Sequence, residues 1–186
     1  PGRVSFEEAT GPGGAVEALL ELQRQGVIGH LGVAAGAVEL SLRYLRLNHF
    51  DVVLTHNRWT LLDQGAAPLI EEAAEQGVAV LNGAPYGGGL LADGPARRAT
   101  YAYRPASEGV LARARRIEAL CNDHGVPLAA VALQFSLRTP GVASTVVGMS
   151  SPDRVRQTLD LAAQPVPEQL WQDLAPLTQE QRALDS

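Results

Sequence analysis

The sequence contains no lysine. All 15 of its basic residues are arginine, so a lysine Schiff base, a Walker-type phosphate lysine and a lysine general acid are excluded within this chain. It has one cysteine, Cys121, which rules out an internal disulfide and points to a reducing, cytoplasmic location. It has one methionine, Met149, and starts at Pro1. With no initiator before Met149, the expectation is a processed chain or a piece of a longer one. No apolar run approaches the roughly 20 residues of a membrane helix, and no charged-then-apolar leader opens the chain, so no membrane partner is expected. A basic footprint is lacking too. The net charge is -5 and the pI near 5.3, which argues against nucleic acid, because binding to phosphates needs clustered cations. The densest basic cluster, Arg113, Arg115 and Arg116, sits beside Glu108 and Glu118 and reads as a solvated helix face. No His/Cys/Asp spacing suits a metal. There is no nucleophile elbow and no evident carboxylate pair, so no metal site and no catalytic residue is expected within the chain.

What is present is an ordinary globular composition: 186 residues, 46% apolar and 19% charged, enough for one compact unit. Residues 1–14 hold four of the glycines and two prolines and read as a loop. A repeated cassette follows. Ala15 to Gln25 has the apolar spacing of a helix, with Val16, Leu19, Leu20 and Leu22 on one face, and Gly26 ends it. The run Val27 to Val33 reads as a buried strand. Val38 to Asn48 is a helix and Asp51 to Thr55 a strand. Pro68 to Gln76 is a helix and Val78 to Asn82 a strand. Ser107 to His124 is a longer helix, and Pro127 introduces another over Leu128 to Leu137. Ser144 to Val147 is a fourth strand. Helices from Pro152 to about Ala162 and from Pro167 to about Leu174 follow, and 178–186 read as a C-terminal tail. The strands show no clean alternation of polar and apolar residues, which predicts cover on both faces and parallel βα units. Two architectures fit: an open doubly wound sheet, or part of a (β/α)8 barrel.

In such folds chemistry collects just beyond the C-terminal ends of the strands. After the first comes Val33-Ala34-Ala35-Gly36, which offers backbone donors and space but no acid, base or nucleophile. After the second comes His56-Asn57-Arg58-Trp59. His56 could shuttle a proton, Arg58 could hold an anion and Trp59 could stack on a ring. After the third comes Gly83-Ala84-Pro85-Tyr86-Gly87-Gly88-Gly89, a run of unobstructed amides that suits phosphate oxygens or serves as a flexible loop leading into 92–106. It is not a Gly-x-Gly-x-x-Gly fingerprint opening a helix. After the fourth comes Gly148-Met149-Ser150-Ser151-Pro152-Asp153-Arg154. A helix starting near Pro152 would aim free amides and the positive end of its dipole outward, with Arg154 early in it.

The string from Ala18 to Gly29 resembles the helix-to-strand passage of the aldo-keto reductases. So do Val80 to Leu91, Val131 to Leu137, and Ser144 to Pro152, in the same order and spacing from about Ala15 to Leu177. Asn57 to Leu62 and Leu81 to Tyr86 are similar to the aldose 1-dehydrogenase branch, which includes L-fucose and D-threo-aldose dehydrogenases. The resemblance implies an α/β protein with the (β/α)8 TIM-barrel fold, present here as the C-terminal half (strands five to eight with their helices). Residues 1–186 would form a partial aldo-keto reductase domain that binds NAD or NADP. A barrel needs about 250 residues, so the resemblance implies that the N-terminal half-barrel, which carries the family's Asp, Tyr, Lys and His, lies outside the chain. Cofactor positions carry over to Ala34, Ala35, Ala84, Tyr86, Gly88, Gly89, Gly148, Ser150, Arg154, Gln157 and Thr158. Ala34 and Ala35 stand where the family often has Ser-Asn on the carboxamide. Arg154 stands where the adenine or a 2′-phosphate is commonly met. His56, Arg58 and Trp59 would lie at the mouth for an aldose or other carbonyl substrate. The alternative implied is a regulatory module on a reductase-like barrel. A half-barrel acting alone would expose strand edges and is expected to self-associate and to be inactive.

Overall fold

The computed structural model describes residues 4–179. Its centre is a four-stranded parallel sheet whose strands lie side by side in chain order: β1 (Gly32–Ala34), β2 (Val52–His56), β3 (Ala79–Gly83) and β6 (Val142–Val146). The register pairs Gly32 with Val52, Val52 with Ala79 and Gly83 with Val146, with an irregularity between Val80 and Leu81. A two-stranded antiparallel hairpin, β4 (Thr100–Tyr101) and β5 (Arg104–Pro105), stands apart. The helices are α1 (Phe6–Thr10), α2 (Ala15–Arg24), α3 (Val38–Leu45), α4 (Ala67–Glu75), α5 (Leu90–Asp93), α6 (Glu108–Asp123), α7 (Leu128–Leu137), α8 (Pro152–Ala163) and α9 (Glu168–Gln179).

The order of helices and strands expected from the sequence is the one that forms, with most boundaries moved by one to three residues. The physical reasons are local. Proline occupies the first turn of α4 and α8, where its missing N–H costs nothing. The hydroxyls of Ser107 and Ser151 accept from the amides of Val110 and Arg154 and so cap α6 and α8. Three expectations are corrected. Residues 1–14 are not all loop: Ser5 and Glu8 form a reciprocal capping box that starts α1. The first strand is Gly32–Ala34, not Val27 to Val33; Val27 is 66% exposed. The tail begins later than residue 178, because α9 runs through Thr178 to Gln179; 180–186 lie outside the described residues.

The fourth correction bears on the architecture. The strands do alternate. In β2, Val53 and Thr55 are buried, whereas Val52 and Leu54 are only partly so and His56 is exposed; in β3, Val80 and Asn82 are buried between partly covered Ala79 and Leu81. The buried side meets the helices. Val53 and Val80 pack with Leu42 and Leu45 of α3 and Leu69, Ile70 and Ala73 of α4. Each such leucine is worth about 1.5–3 kcal/mol of removed apolar surface. A second cluster joins α6, α7 and α9 through Ile117, Val131, Leu170 and Leu174. The opposite sheet face, with Ala34, Ser144 and Val146 exposed, has no such cover among the described residues. The sequence hides this alternation because both sides of the strands are small or apolar. No helix among the described residues is long and apolar enough to cross a membrane.

Candidate functional site

A cleft of about 380 Å³ opens at the C-terminal end of β3 and β6. One wall is the segment after β3, carrying Ala84, Tyr86, Gly88 and Gly89; the other is the segment after β6 and the start of α8, carrying Gly148, Ser150, Arg154, Gln157 and Thr158. These are sequence-expected positions, and the fold brings them together. Gly87–Gly89 form a tight turn that leads straight into α5. All three glycines have positive φ (59°, 74° and 107°), a region closed to most side chains. A Cβ on Gly87 would strike the Tyr101 ring and one on Gly89 the Arg98 guanidinium. The run is therefore an ordered element held against the β4–β5 hairpin, not a flexible loop; the amide of Ala102 also donates to the carbonyl of Gly87 at 3.0 Å.

Across the cleft, Ser151 caps α8, so the amides of its first turn and the helix dipole favour an anion there. The Arg154 guanidinium is steered by Gln157, whose Oε1 accepts from Nη1 at 2.9 Å, and Thr158 Oγ1 donates to the Arg154 carbonyl at 2.8 Å. The residues that sequence reasoning missed lie on the near wall. Arg98 lies over Gly89, and its Nε donates to Asp93 Oδ2 at 2.7 Å. Tyr103 also lines the cleft. Both come from the 92–106 stretch; an arginine within ten residues of a glycine run was the available signal. Tyr86 lines the cleft and packs on the α6–α7–α9 core; its hydroxyl is buried with no hydrogen-bond partner among the described residues, and burial raises its pKa. The Gly87 and Gly89 amides are already given to the carbonyls of Ala84 and Tyr86, so the glycine turn contributes close backbone approach; with the α8 N-terminus, Arg98 and Arg154 it fits a phosphate-bearing ligand of nucleotide size.

Not every expected residue joins this cleft. Ala34 ends β1 beside Leu54, and neither it nor Ala35 lines it. His56 and Arg58 line a neighbouring pocket with Gly36, Asp63 and the hairpin residues Tyr101 to Arg104. Arg58 reaches the buried Asp63 carboxylate at 3.3 Å. Tyr103 borders both spaces. Trp59 is elsewhere. Its indole stacks on Phe135 with centroids 5.6 Å apart, and its Nε1 donates to Thr139 Oγ1 at 2.8 Å, so it serves packing between the sheet and α7. No group of three His, Cys, Asp or Glu among the described residues could hold a metal.

The fold and cleft define a class: a parallel α/β protein whose strand ends present a phosphate-receptive groove. The chain belongs to the aldo/keto reductase family, whose sequence model matches residues 7–178. It is similar to a D-threo-aldose 1-dehydrogenase of a Pseudomonas species, at 34% identity over 87% of this chain and 50% of that protein. It is also similar to a pyridoxal 4-dehydrogenase of Microbacterium luteolum, at 31% identity over 87% and 48%. Its fold matches an aldo-keto reductase of Bacillus halodurans in the holo form, with a TM-score of 0.70 at 24% identity over 87% of this chain and 54% of that one. The chain thus spans about half the length of the relatives it matches.

Proposed function

We propose that the chain is the nucleotide-binding half of an NAD(P)-dependent oxidoreductase whose substrate is an aldose such as L-fucose, oxidised at C1 to the lactone. The architecture proposed is strands five to eight of a (β/α)8 barrel, with residues 1–186 as a partial domain. The strand order supports it. A doubly wound sheet reverses direction at a switch point, whereas β1, β2, β3 and β6 run in sequence with helices packed on one side. The uncovered face would then be the barrel lumen.

The observation that carries the reading is the cleft between the glycine turn and the α8 N-terminus, with Arg98 and Arg154 on its two walls. When bound, the nicotinamide would supply the two-electron chemistry. The chain's own residues bind and orient. Arg98 would hold the diphosphate where the glycine turn and Tyr86 leave room for it, and Ser150, Arg154, Gln157 and Thr158 would hold the adenosine end. Ala34 and Ala35 would offer only backbone near the carboxamide. His56 and Arg58 would face the sugar. The proton on the substrate hydroxyl would be taken by a group outside these 186 residues.

The test is a pair of nucleotide titrations by calorimetry. Arg154→Ala should weaken NADP binding about tenfold, the scale of one charge-assisted contact, and NAD binding by much less. Equal losses for both would assign Arg154 to the adenine. No binding of either nucleotide by the unsubstituted chain would overturn the reading.

A further inference from the structure

The β4–β5 hairpin is closed by two residues, Ala102 and Tyr103, both with positive φ (48° and 66°). That backbone suits a tight hairpin turn, but it is normally given to Gly, Asn or Asp. Strain of this kind in a bulky residue is kept where the surroundings enforce it, and it clusters at ligand sites. Here it turns the Tyr103 side chain out of the hairpin and onto His56. The two rings stack with centroids 5.7 Å apart and planes 15° apart, and Tyr103 remains 69% exposed at the boundary of the two spaces.

The hydrogen bonds around this pair have a direction. Asn57 Nδ2 lies 3.0 Å from His56 Nδ1, and Tyr103 Oη lies 3.3 Å from His56 Nε2. The other end of the Asn57 amide, Oδ1, is buried without a partner among the described residues. Turning the amide over would instead strand an NH2 with two protons, and orphaned donors are rarer than orphaned carbonyl oxygens. Asn57 therefore donates, so Nδ1 of His56 accepts and the imidazole proton sits on Nε2. His56 in turn donates to the Tyr103 oxygen, which leaves the phenolic proton free to point into the pocket.

We propose that Tyr103 is a specificity-determining residue: a hydrogen-bond donor to a hydroxyl or carbonyl oxygen of the aldose. Asn57 and His56 are positioning residues that set the direction of its proton. The inference rests on the aldose reading of the site. It adds that one side chain from the hairpin serves the substrate pocket while forming the edge of the nucleotide cleft, so nucleotide in the cleft steadies the donor that the sugar meets.

The test uses the full 186-residue chain. Nitrogen-15 NMR of its histidines, with His56 assigned through a His56→Gln variant, should show the Nε2-protonated tautomer at neutral pH; an Nδ1-protonated His56 would overturn the relay. Asn57→Asp replaces the donor by an acceptor and should switch the tautomer. Two titrations follow, NADP into the free chain and L-fucose into the nucleotide-saturated chain. Tyr103→Phe keeps the ring and should lower L-fucose affinity about tenfold, the scale of one lost hydrogen bond at a site built for it, a larger loss than it causes in NADP affinity. Asn57→Asp should match that loss, and the double variant should lose no more than either single one, as expected of residues acting as one unit. A Tyr103→Phe chain that binds L-fucose like the original, or an original that binds NADP but no L-fucose, would overturn the proposal. Failure of the original chain to bind any nucleotide would overturn the cofactor reading instead, and the tautomer measurement judges the relay in either case.

Discussion

Single residues in the cleft are fixed less by their own chemistry than by what leans on them. Gly89 shows this best. Its φ of 107° already excludes most side chains, and a Cβ there would lie 2.7 Å from the Arg98 Nε. Gly89→Ala is expected to cost about 1–2 kcal/mol, where a conformationally compatible glycine site would gain, and to push Arg98 off the diphosphate position proposed above, so urea denaturation and NADP titration should both register it. Gly29→Ala is the control: a Cβ there meets nothing within 4 Å, and stability should stay within about 0.5 kcal/mol. The glycine run was legible in the sequence as an amide-rich segment. Its partner Arg98 was not, because the contact depends on the hairpin folding back, and nothing in local spacing encodes that return. Cys121 is simpler at this scale. It is fully buried, and desolvation pushes its thiol up to about 12, which fits a core side chain without reactivity.

Elements are tied to one another by a buried polar relay that no sequence pattern announces. Asn82 at the end of β3 donates from Nδ2 to Ser136 Oγ of α7 at 2.7 Å and to the Trp59 carbonyl at 2.9 Å. Ser136 Oγ lies 2.7 Å from Thr145 Oγ1 of β6. Asn82 and Ser136 are fully buried. The relay thus fixes the spacing between β3, β6, α7 and the loop after β2, which sets the width of the cleft above. Ser136→Ala leaves the Asn82 amide and the Thr145 hydroxyl short of a partner in the interior. The expected cost is about 1–3 kcal/mol, visible as a lower denaturation midpoint with an unchanged slope. Most helix and strand positions were readable to within a few residues from apolar spacing, proline and serine caps; the first strand was not, because the apolar Val27 and Ile28 precede it. Trp59 was misplaced for the same reason the relay was invisible: its aromatic character was read, but the face it occupies is set by Phe135 and Thr139, about eighty residues away.

At the scale of the molecule, the sheet is open at both ends. Among the described residues β1 and β6 each pair with one neighbour only. Near the β6 edge, Val146, Met149, Val155 and Leu159 are exposed by 42–64%. Unpaired edges flanked by apolar surface seek partners. Sedimentation of the 186-residue chain at micromolar concentration is expected to show dimers or larger species; a single monomeric boundary would contradict this and would mean that the open edges are covered within the chain. The same chain is expected to give no turnover with L-fucose and either nucleotide.

The sequence by itself determined the class of the protein. Alternating apolar helices and strands dictate parallel βα units, the missing lysine excludes several chemistries, and four motifs in order carry the family resemblance. These are local or compositional facts, and they survive without knowing which residues meet. The tertiary structure decided the rest. It chose which strand face is covered, joined the Gly87–Gly89 turn to the α8 N-terminus across some sixty residues, folded Arg98 and Tyr103 back onto the cleft, and set Trp59 apart from His56 and Arg58. The reason is physical. A contact between distant segments depends on the free energy of the whole packed arrangement, in which each local preference is only one small contribution.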